Sequence, residues 1–401
     1  MVMSKPRLVV FSTLFPHPGQ PNAGVFIRER MFRVGQRIPL VVVAPVPWFP
    51  LQGLIRKFKP HFRPEAPRKE EQQGFKVYHP RFFSIPGLFK SLDGLFMALG
   101  SKSIMRQLKK EFDFNIIDSH FAYPDGKAAT LLGQWLNLPV TITMRGTEIP
   151  HAKRNSIRPK MISALQNATK IFSVSNSLKQ HAVDLGISEE KIQVVGNGVD
   201  IGKFFPVDKK KARNLLNIPQ KAHVLITVGG LVERKGFHRV IAVMPELIKI
   251  FPDLHYLIIG GASAEGDITA QLKNQVKELE LENHVHFLGT MKPEELKAPL
   301  SAADIFVLST RNEGWANVLL ESLACGTPVV ASDVGGNAEV ICKPEIGLIV
   351  PFDESDELFN ALRLSLSESW QRERIIEYAK ENSWDTRVVM LEKEFNQLVA
   401  S

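Results

Sequence analysis

Ten short runs rich in β-branched and aromatic residues, none with strict alternation of apolar and polar positions, punctuate this 401-residue chain. Five fall at 7–11, 40–44, 116–118, 140–143 and 171–174, and five more at 224–228, 254–260, 285–288, 305–308 and 328–331. A strand wet on one side alternates, whereas a strand covered on both sides reads as a continuous apolar run. These runs therefore predict parallel sheets with helices on both faces. Stretches with helical spacing lie between them, at 24–35, 126–136 and 159–168 and again at 237–249, 270–281 and 317–324. Strand and helix alternating, interrupted once and then restarted, imply two doubly wound α/β domains, and the chain is too long for one ordinary core. The interruption falls at 194–219, where Gly196, Gly198, Gly202 and Pro206 break the periodicity and a charged run at 208–211 opens a new helix. The expected division is 1–203, 204–383 and a terminal segment, 384–401. No repeat at solenoid periods and no low-complexity tract is found.

A composition of 44% hydrophobic and 23% charged residues excludes disordered and fibrous classes. The first apolar run, 8–11, is too short for a secretory signal, and no run approaches the roughly 20 apolar residues that span a bilayer. Cys325 and Cys342 are too few for a disulfide framework, and Cys325, in an Ala-Cys-Gly run, reads as buried. A cytoplasmic protein is expected.

Charge is distributed unevenly. Residues 1–203 hold 29 Lys and Arg against 14 Asp and Glu, net +15, and residues 204–401 hold 21 against 28, net −7. A basic first half suggests an anionic partner: nucleic acid, a membrane surface or a phosphorylated acceptor. Within it, 45–92 mixes Pro, Phe, Trp48 and basic residues (among them Arg56, Lys57, Lys59, Arg63 and Lys90) without a clear period. Two readings stay open for it: a mobile element that lies on an anionic, partly apolar surface, or an irregular loop packed by its own aromatics.

The most informative stretch is RNEGWANVLLESLACGTPVVASDVGGNAEVI, 311–341. Glu313 and Glu321 stand eight positions apart in it, Glu313 before an apolar helix start and Glu321 within the helix. Gly314 lets the backbone approach a ligand, and the free amides near Asn317 and Val318 at a helix N-terminus suit a diphosphate. With the Ala-Cys-Gly-Thr-Pro turn and the Gly335-Gly336 loop, the string is specific where two glutamates alone are not.

Here the chain resembles the retaining GT-B glycosyltransferases of family four, whose hallmark is two glutamates separated by seven residues in this setting. The resemblance extends through FPHPGQPNAGVFIRER (15–30), SHFAYPDG (119–126), TMRGTE (143–148), VVGNGVD (194–200) and VGGLVERKG (228–236). It is most similar to the branch associated with teichuronic acid and exopolysaccharide synthesis. The resemblance implies a GT-B fold, with two doubly wound Rossmann-like domains facing an interdomain cleft, the acceptor on the first and the nucleotide sugar on the second. The last helix would cross back onto the first domain. It further implies that Glu313 holds hydroxyls of the donor sugar and Glu321 the ribose, a task for which a carboxylate is a good acceptor. Lys235 would meet the donor diphosphate, with Arg234, Gly314, Trp315, Asn317 and Val318 nearby, and Gly24 would bring backbone to the diphosphate from the first domain. His120, at the end of the run 116–118, would contact the donor sugar.

One departure stands out. The family usually has an arginine directly after the first glycine at 229, and this chain has Gly230. Either Arg234 or a residue of the basic first domain replaces it, or diphosphate stabilisation is weaker. Arg145 and Glu148 are expected at the ligand end of their domain, where acceptor binding and a domain-stabilising ion pair are both open.

No Asp-x-Asp pair, P-loop or Cys-x-x-Cys occurs, and the first strand lacks a Gly-x-Gly-x-x-Gly turn. The expectation is a metal-independent, cofactor-free, hexosyltransferase-type enzyme acting on a nucleotide-sugar donor and a glycan or lipid-linked acceptor. No nucleic-acid partner is expected, and the enzyme is placed in the cytoplasm or on the inner membrane face. The alternatives are a non-catalytic sugar-nucleotide or nucleic-acid binding protein on this fold, a nucleotide-sugar epimerase and a glycan phosphorylase.

Overall fold

The computed structural model describes residues 5–59, 62–263 and 265–400. They divide into two compact units: the residues through Asn197 together with those from Arg387 onward, and Gly198–Thr386.

The first unit is built on β1 (Leu8–Phe11), β2 (Leu40–Val43), β3 (Val46–Trp48), β4 (Lys69–Gln72), β5 (Phe75–Tyr78), β6 (Arg81–Phe83), β7 (Ile116–His120), β8 (Val140–Met144), β9 (Lys170–Ser173) and β10 (Ile192–Val194). Eight of these form one sheet in the order β10-β9-β8-β7-β1-β2-β5-β4, parallel except for β4, while β3 and β6 pair separately. Every residue of β1 is buried, and the strand feeds two cores. Val9 and Phe11 pack with Met97 and Ile117, and Leu8 and Val10 with Ile27 and Phe172. Double-sided burial is what the unalternating run implies. The final helix, Trp384–Ala400, sends Val388, Leu391 and Phe395 into the second of these cores, where Phe395 meets Phe172 edge to face at 5.7 Å.

The second unit holds β11 (His223–Val228), β12 (Leu254–Ile259), β13 (Val285–Gly289), β14 (Ile305–Leu308), β15 (Val329–Ser332) and β16 (Gly347–Val350), all parallel in the order β13-β12-β11-β14-β15-β16. Alternate residues again feed opposite cores, Val224 and Ile226 on one face and Leu225 on the other. In both units parallel strands carry their carboxyl ends to one rim, the ligand-binding rim of open α/β sheets.

The segment 45–92 is more regular than its composition suggests. It contains β3 to β6 and the helix Gln52–Phe58. β4 and β5 form an antiparallel hairpin closed by Gln73 and Gly74, both at positive φ, with Glu71 opposite Lys76. The turn chemistry is present in Gln-Gly, but the strands it joins are too polar to read as such. The helix Asp93–Glu111, 19 residues long, likewise has no counterpart among the stretches that helical spacing picks out.

Candidate functional site

In the second unit, β11 ends in the Gly229-Gly230 turn, and a single 3-10 turn, Glu233–Lys235, returns the chain to the rim. The stem of Lys235 lies across Gly229, at ordinary van der Waals distance from where a Cβ there would stand. Lys235 Nζ then reaches Glu313 Oε1 at 2.6 Å. Arg234 Nη1 donates to the same oxygen at 3.1 Å, and the Thr310 hydroxyl lies 3.2 Å from it and 3.1 Å from the Arg234 carbonyl, either of which can accept its one proton. Two cationic donors converge on Oε1, and Glu313 Oε2 has no partner among the described residues. The far edge of the Arg234 guanidinium is held in a fork by Glu265, at 2.8 and 2.6 Å, which with Glu313 raises its pKa further.

Gly335 fixes where Glu313 sits. At φ 55° it occupies the left-handed region, and a Cβ there would lie 1.6 Å from the Glu313 carbonyl oxygen. Past Gly314 the helix Asn317–Ala324 begins without a side-chain cap, and the buried Trp315 Nε1 beside it has no hydrogen-bond partner. Glu321 follows one turn in. It keeps a little accessible surface, yet its carboxyl is deep enough that burial pushes its pKa from 4.5 to about 7, against the pull of Lys203 and Lys235. The two glutamates and Lys235 thus share one neighbourhood. Lys203, Thr310 and Glu265 join them without having been picked out from sequence; only the position of Lys203, just after VVGNGVD, was a signal. Of the two replacements considered for the family arginine, Arg234 does reach the site. At Gly230 itself a Cβ would press on Ser263 at 3.1 Å, so a side chain there would require the Ser263 loop to give way.

Because the Glu321 carboxyl ionises at higher pH folded than unfolded, the unfolded chain sheds that proton first and stability falls as pH rises from 4.5 toward about 7. A Glu321→Gln variant is expected to melt above the wild type at about pH 8 and level with it at about pH 4, while binding nucleotide more weakly. Thermal scans at both pH values with and without nucleotide check both halves.

In the first unit, Gly24 caps the helix Val25–Gly35 at φ 68°, where a Cβ would lie 2.1 Å from the Leu14 carbonyl oxygen, so the loop closes on itself. The loop is pinned from the other side by Asp125, whose carboxylate accepts from the Thr13 amide and, at 3.1 Å, from its hydroxyl. His120, at the end of β7, has no exposed surface. Its Nδ1 accepts from Arg145 Nε and Nη2 at 3.3 and 3.1 Å, which assigns the proton to Nε2, facing Asp118 Oδ2 at 3.5 Å. Burial first, then Arg145 and Arg30, keeps the ring's pKa well below 6.5, so it is neutral. In this placement the His120 ring, expected to contact a donor sugar, is enclosed, with the partly buried Arg145 guanidinium packed against its Nδ1. That guanidinium also donates to Asn197 Oδ1 at 3.1 Å and lies 5.0 Å over the Phe26 ring. Glu148 is buried and accepts from the backbone amides of Ala122, Arg145 and Gly146, at 3.1, 3.1 and 2.8 Å. It clips three backbone amides together, and its negative charge also acts on Arg145, raising that guanidinium's pKa against the larger opposing effect of burial.

Among the described residues no group of three or more His, Cys, Asp or Glu side chains is arranged to hold a metal ion. Cavities of about 450 and 770 Å³ in the second unit are lined by Trp370 with Leu348 or with His223 and Pro328, and contain none of the residues above.

Two Rossmann-like α/β units of this build define the GT-B glycosyltransferase fold. Residues 208–382 match the family model for glycosyl transferases group 1, and residues 51–203 match that for glycosyltransferase family 4. The chain is 31% identical over 306 residues to the D-inositol 3-phosphate glycosyltransferase of Corynebacterium urealyticum, covering 71% of this chain and 72% of that one. It is 25% identical over 355 residues to TuaC of Bacillus subtilis, named for teichuronic acid biosynthesis, covering 86% and 85%. The structure of HepE from Anabaena in complex with UDP superposes with a TM-score of 0.75 at 18% identity, over 98% of this chain and 100% of that one. The chain belongs to the family-four, group 1 glycosyltransferases, and it is a glycosyltransferase.

Proposed function

We propose that the chain moves a sugar from a nucleoside diphosphate donor to a hydroxyl of a glycan or lipid-linked glycan in cell-surface polysaccharide or glycolipid synthesis, retaining the anomeric configuration and using no metal ion. The observation that carries this is the convergence of the Lys235 and Arg234 cations on one oxygen of Glu313, with its second oxygen left without a partner among the described residues. In the free protein Lys235 is paired with Glu313, and Arg234 is shared between Glu313 and Glu265. An incoming diphosphate competes for Lys235, and Oε2 accepts hydroxyls of the donor sugar.

As the glycosidic bond lengthens, negative charge grows on the leaving phosphate, where the Lys235 ammonium and the helix-start amides near Asn317 and Val318 stabilise it more than they stabilise intact donor. The acceptor oxygen attacks the same face that the phosphate leaves and passes its proton to that phosphate. No side chain is required as nucleophile. Glu321 takes the ribose hydroxyls, giving up its proton or sharing it. Arg145 in the first unit is the acceptor-binding group, and His120 acts by holding it. The acceptor is reached at an anionic membrane surface.

The test is a panel of nucleotide sugars with crude membrane acceptors, read as release of nucleoside diphosphate. HepE was solved with UDP, so uridine donors head the panel. Acceptor-dependent release from one donor, with product of retained configuration, is expected. Epimerised donor, or turnover only with inorganic phosphate, would replace this reading with an epimerase or a phosphorylase.

A further inference from the structure

The helix Gln52–Phe58 is inside out. Its one buried residue is Gln52, 4% exposed, while Leu51, Leu54 and Phe58 are 78, 53 and 83% exposed. Offsets of three and four place these three apolar groups on one stripe. A helix that packed its apolar side on its own core would show the reverse.

The stripe is not isolated. Arg63 lies 5.7 Å over both the Phe49 and Phe62 rings and donates to the Ser84 carbonyl at 2.6 Å, tying the helix-bearing segment to β6. β6 in turn meets the helix Asp93–Glu111, with the rings of Phe83 and Phe96 edge to face at 5.5 Å. At that helix's start Leu88, Phe89, Leu92, Leu95 and Leu99 are all exposed. Of the nineteen exposed large hydrophobic residues among the described residues, ten fall between Trp48 and Leu99, a concentration that a water-facing surface does not carry without a partner.

Cations are interleaved with these side chains. Lys57 and Lys59 border the first stripe, and Arg106 and Lys102 continue the second, with Lys102 lying 4.7 Å over the exposed Trp135 ring. Among the described residues Lys57, Lys59 and Arg106 have no ion-pair partner, and residues 51–63 contain no carboxylate. Residues 45–110 carry 13 Lys and Arg against 4 Asp and Glu, a net +9 that exceeds the charge of the whole chain. A protein interface of this apolar content excludes charge from its centre, whereas a bilayer accepts apolar groups below a layer of anionic headgroups.

We infer that the stripe Leu51-Leu54-Phe58 and the apolar start of the helix Asp93–Glu111 insert into an anionic phospholipid surface, with Lys57, Lys59, Lys102 and Arg106 lying against the headgroups. This deepens the acceptor part of the reading above by naming the surface element. It makes 45–92 a structured wedge, where a mobile loop was one expectation.

The experiment is flotation of the full chain with phosphatidylcholine vesicles containing about one third phosphatidylglycerol, and with phosphatidylcholine alone. The chain is expected to float with the anionic vesicles at low salt and to be released as salt rises. A Leu54→Glu/Phe58→Glu variant is expected to partition about 10-fold or more weakly, the loss of two large apolar groups from the interface. Lys57→Glu/Lys59→Glu lowers partitioning and flattens the salt response. All four side chains are exposed, so both variants keep the wild-type melting temperature and UDP binding. Wild type that fails to float at low salt, or a Leu54/Phe58 variant that floats equally well, overturns the inference. So does a dimer that dissociates in that variant without any flotation. Failure to float with UDP binding intact removes this inference alone, while flotation without binding of any nucleotide removes the donor reading and leaves this one.

Discussion

Lys235→Ala lowers kcat/KM for the nucleotide sugar by about 10²- to 10³-fold, the usual consequence of removing a preorganised group from developing charge. The fall is expected mainly in kcat, because the ammonium matters most once the bond to the diphosphate is stretched. Folding is affected far less. Without Lys235, Glu313 Oε1 still accepts from Arg234 at 3.1 Å and has the Thr310 hydroxyl within reach at 3.2 Å, so no buried acceptor is stranded and the melting temperature drops only slightly. Arg234 cannot take over the lost function, since its outer edge is already forked to Glu265 at 2.6 and 2.8 Å. Steady-state kinetics with a thermal scan checks both halves. A variant that turns over donor at the wild-type rate would remove Lys235 from the mechanism.

What the sequence makes legible is whatever depends on local pattern. Runs such as 7–11 and 305–308 read as strands because burial on both faces leaves no alternation of polar positions, and burial is what the structure shows for every residue of β1, which starts one residue later at Leu8, and of β14. The helix Asn317–Ala324 is legible from its flanking glycine and apolar repeat, down to both ends. What stays hidden depends on depth and on partners distant in sequence. Nothing local says that His120 is sealed under Arg145, or that Glu148 spends its carboxylate on three backbone amides. A pocketed Glu321 and an exposed helix-face glutamate look alike in one dimension. The segment 45–92 fails for the opposite reason: β4 is Lys-Glu-Glu-Gln, a strand set by its pairing with β5 and not by its own residues.

Gly335→Ala is the second large effect, and it acts through geometry alone. A methyl group at 335 would stand 1.6 Å from the Glu313 carbonyl oxygen, so either the loop or Glu313 must move by more than an ångström. Displacing a positioned group by about 1 Å can cost on the order of 100-fold in rate, and kcat/KM is expected to fall at least that far. Strain at φ 55° adds to the steric cost, so the second unit also loses stability. Gly74 separates the two contributions: it sits at φ 85° in the β4–β5 turn, and a Cβ added there would meet nothing within 4 Å. Gly74→Ala bears only the backbone cost, about 1–2 kcal/mol, and leaves turnover unchanged. Chemical denaturation and kinetics on the two variants together give the comparison. If Gly335→Ala matched Gly74→Ala in both stability and rate, the loop beside Glu313 would be free to yield, and the close approach that places this carboxylate beside Lys235 would have no catalytic weight.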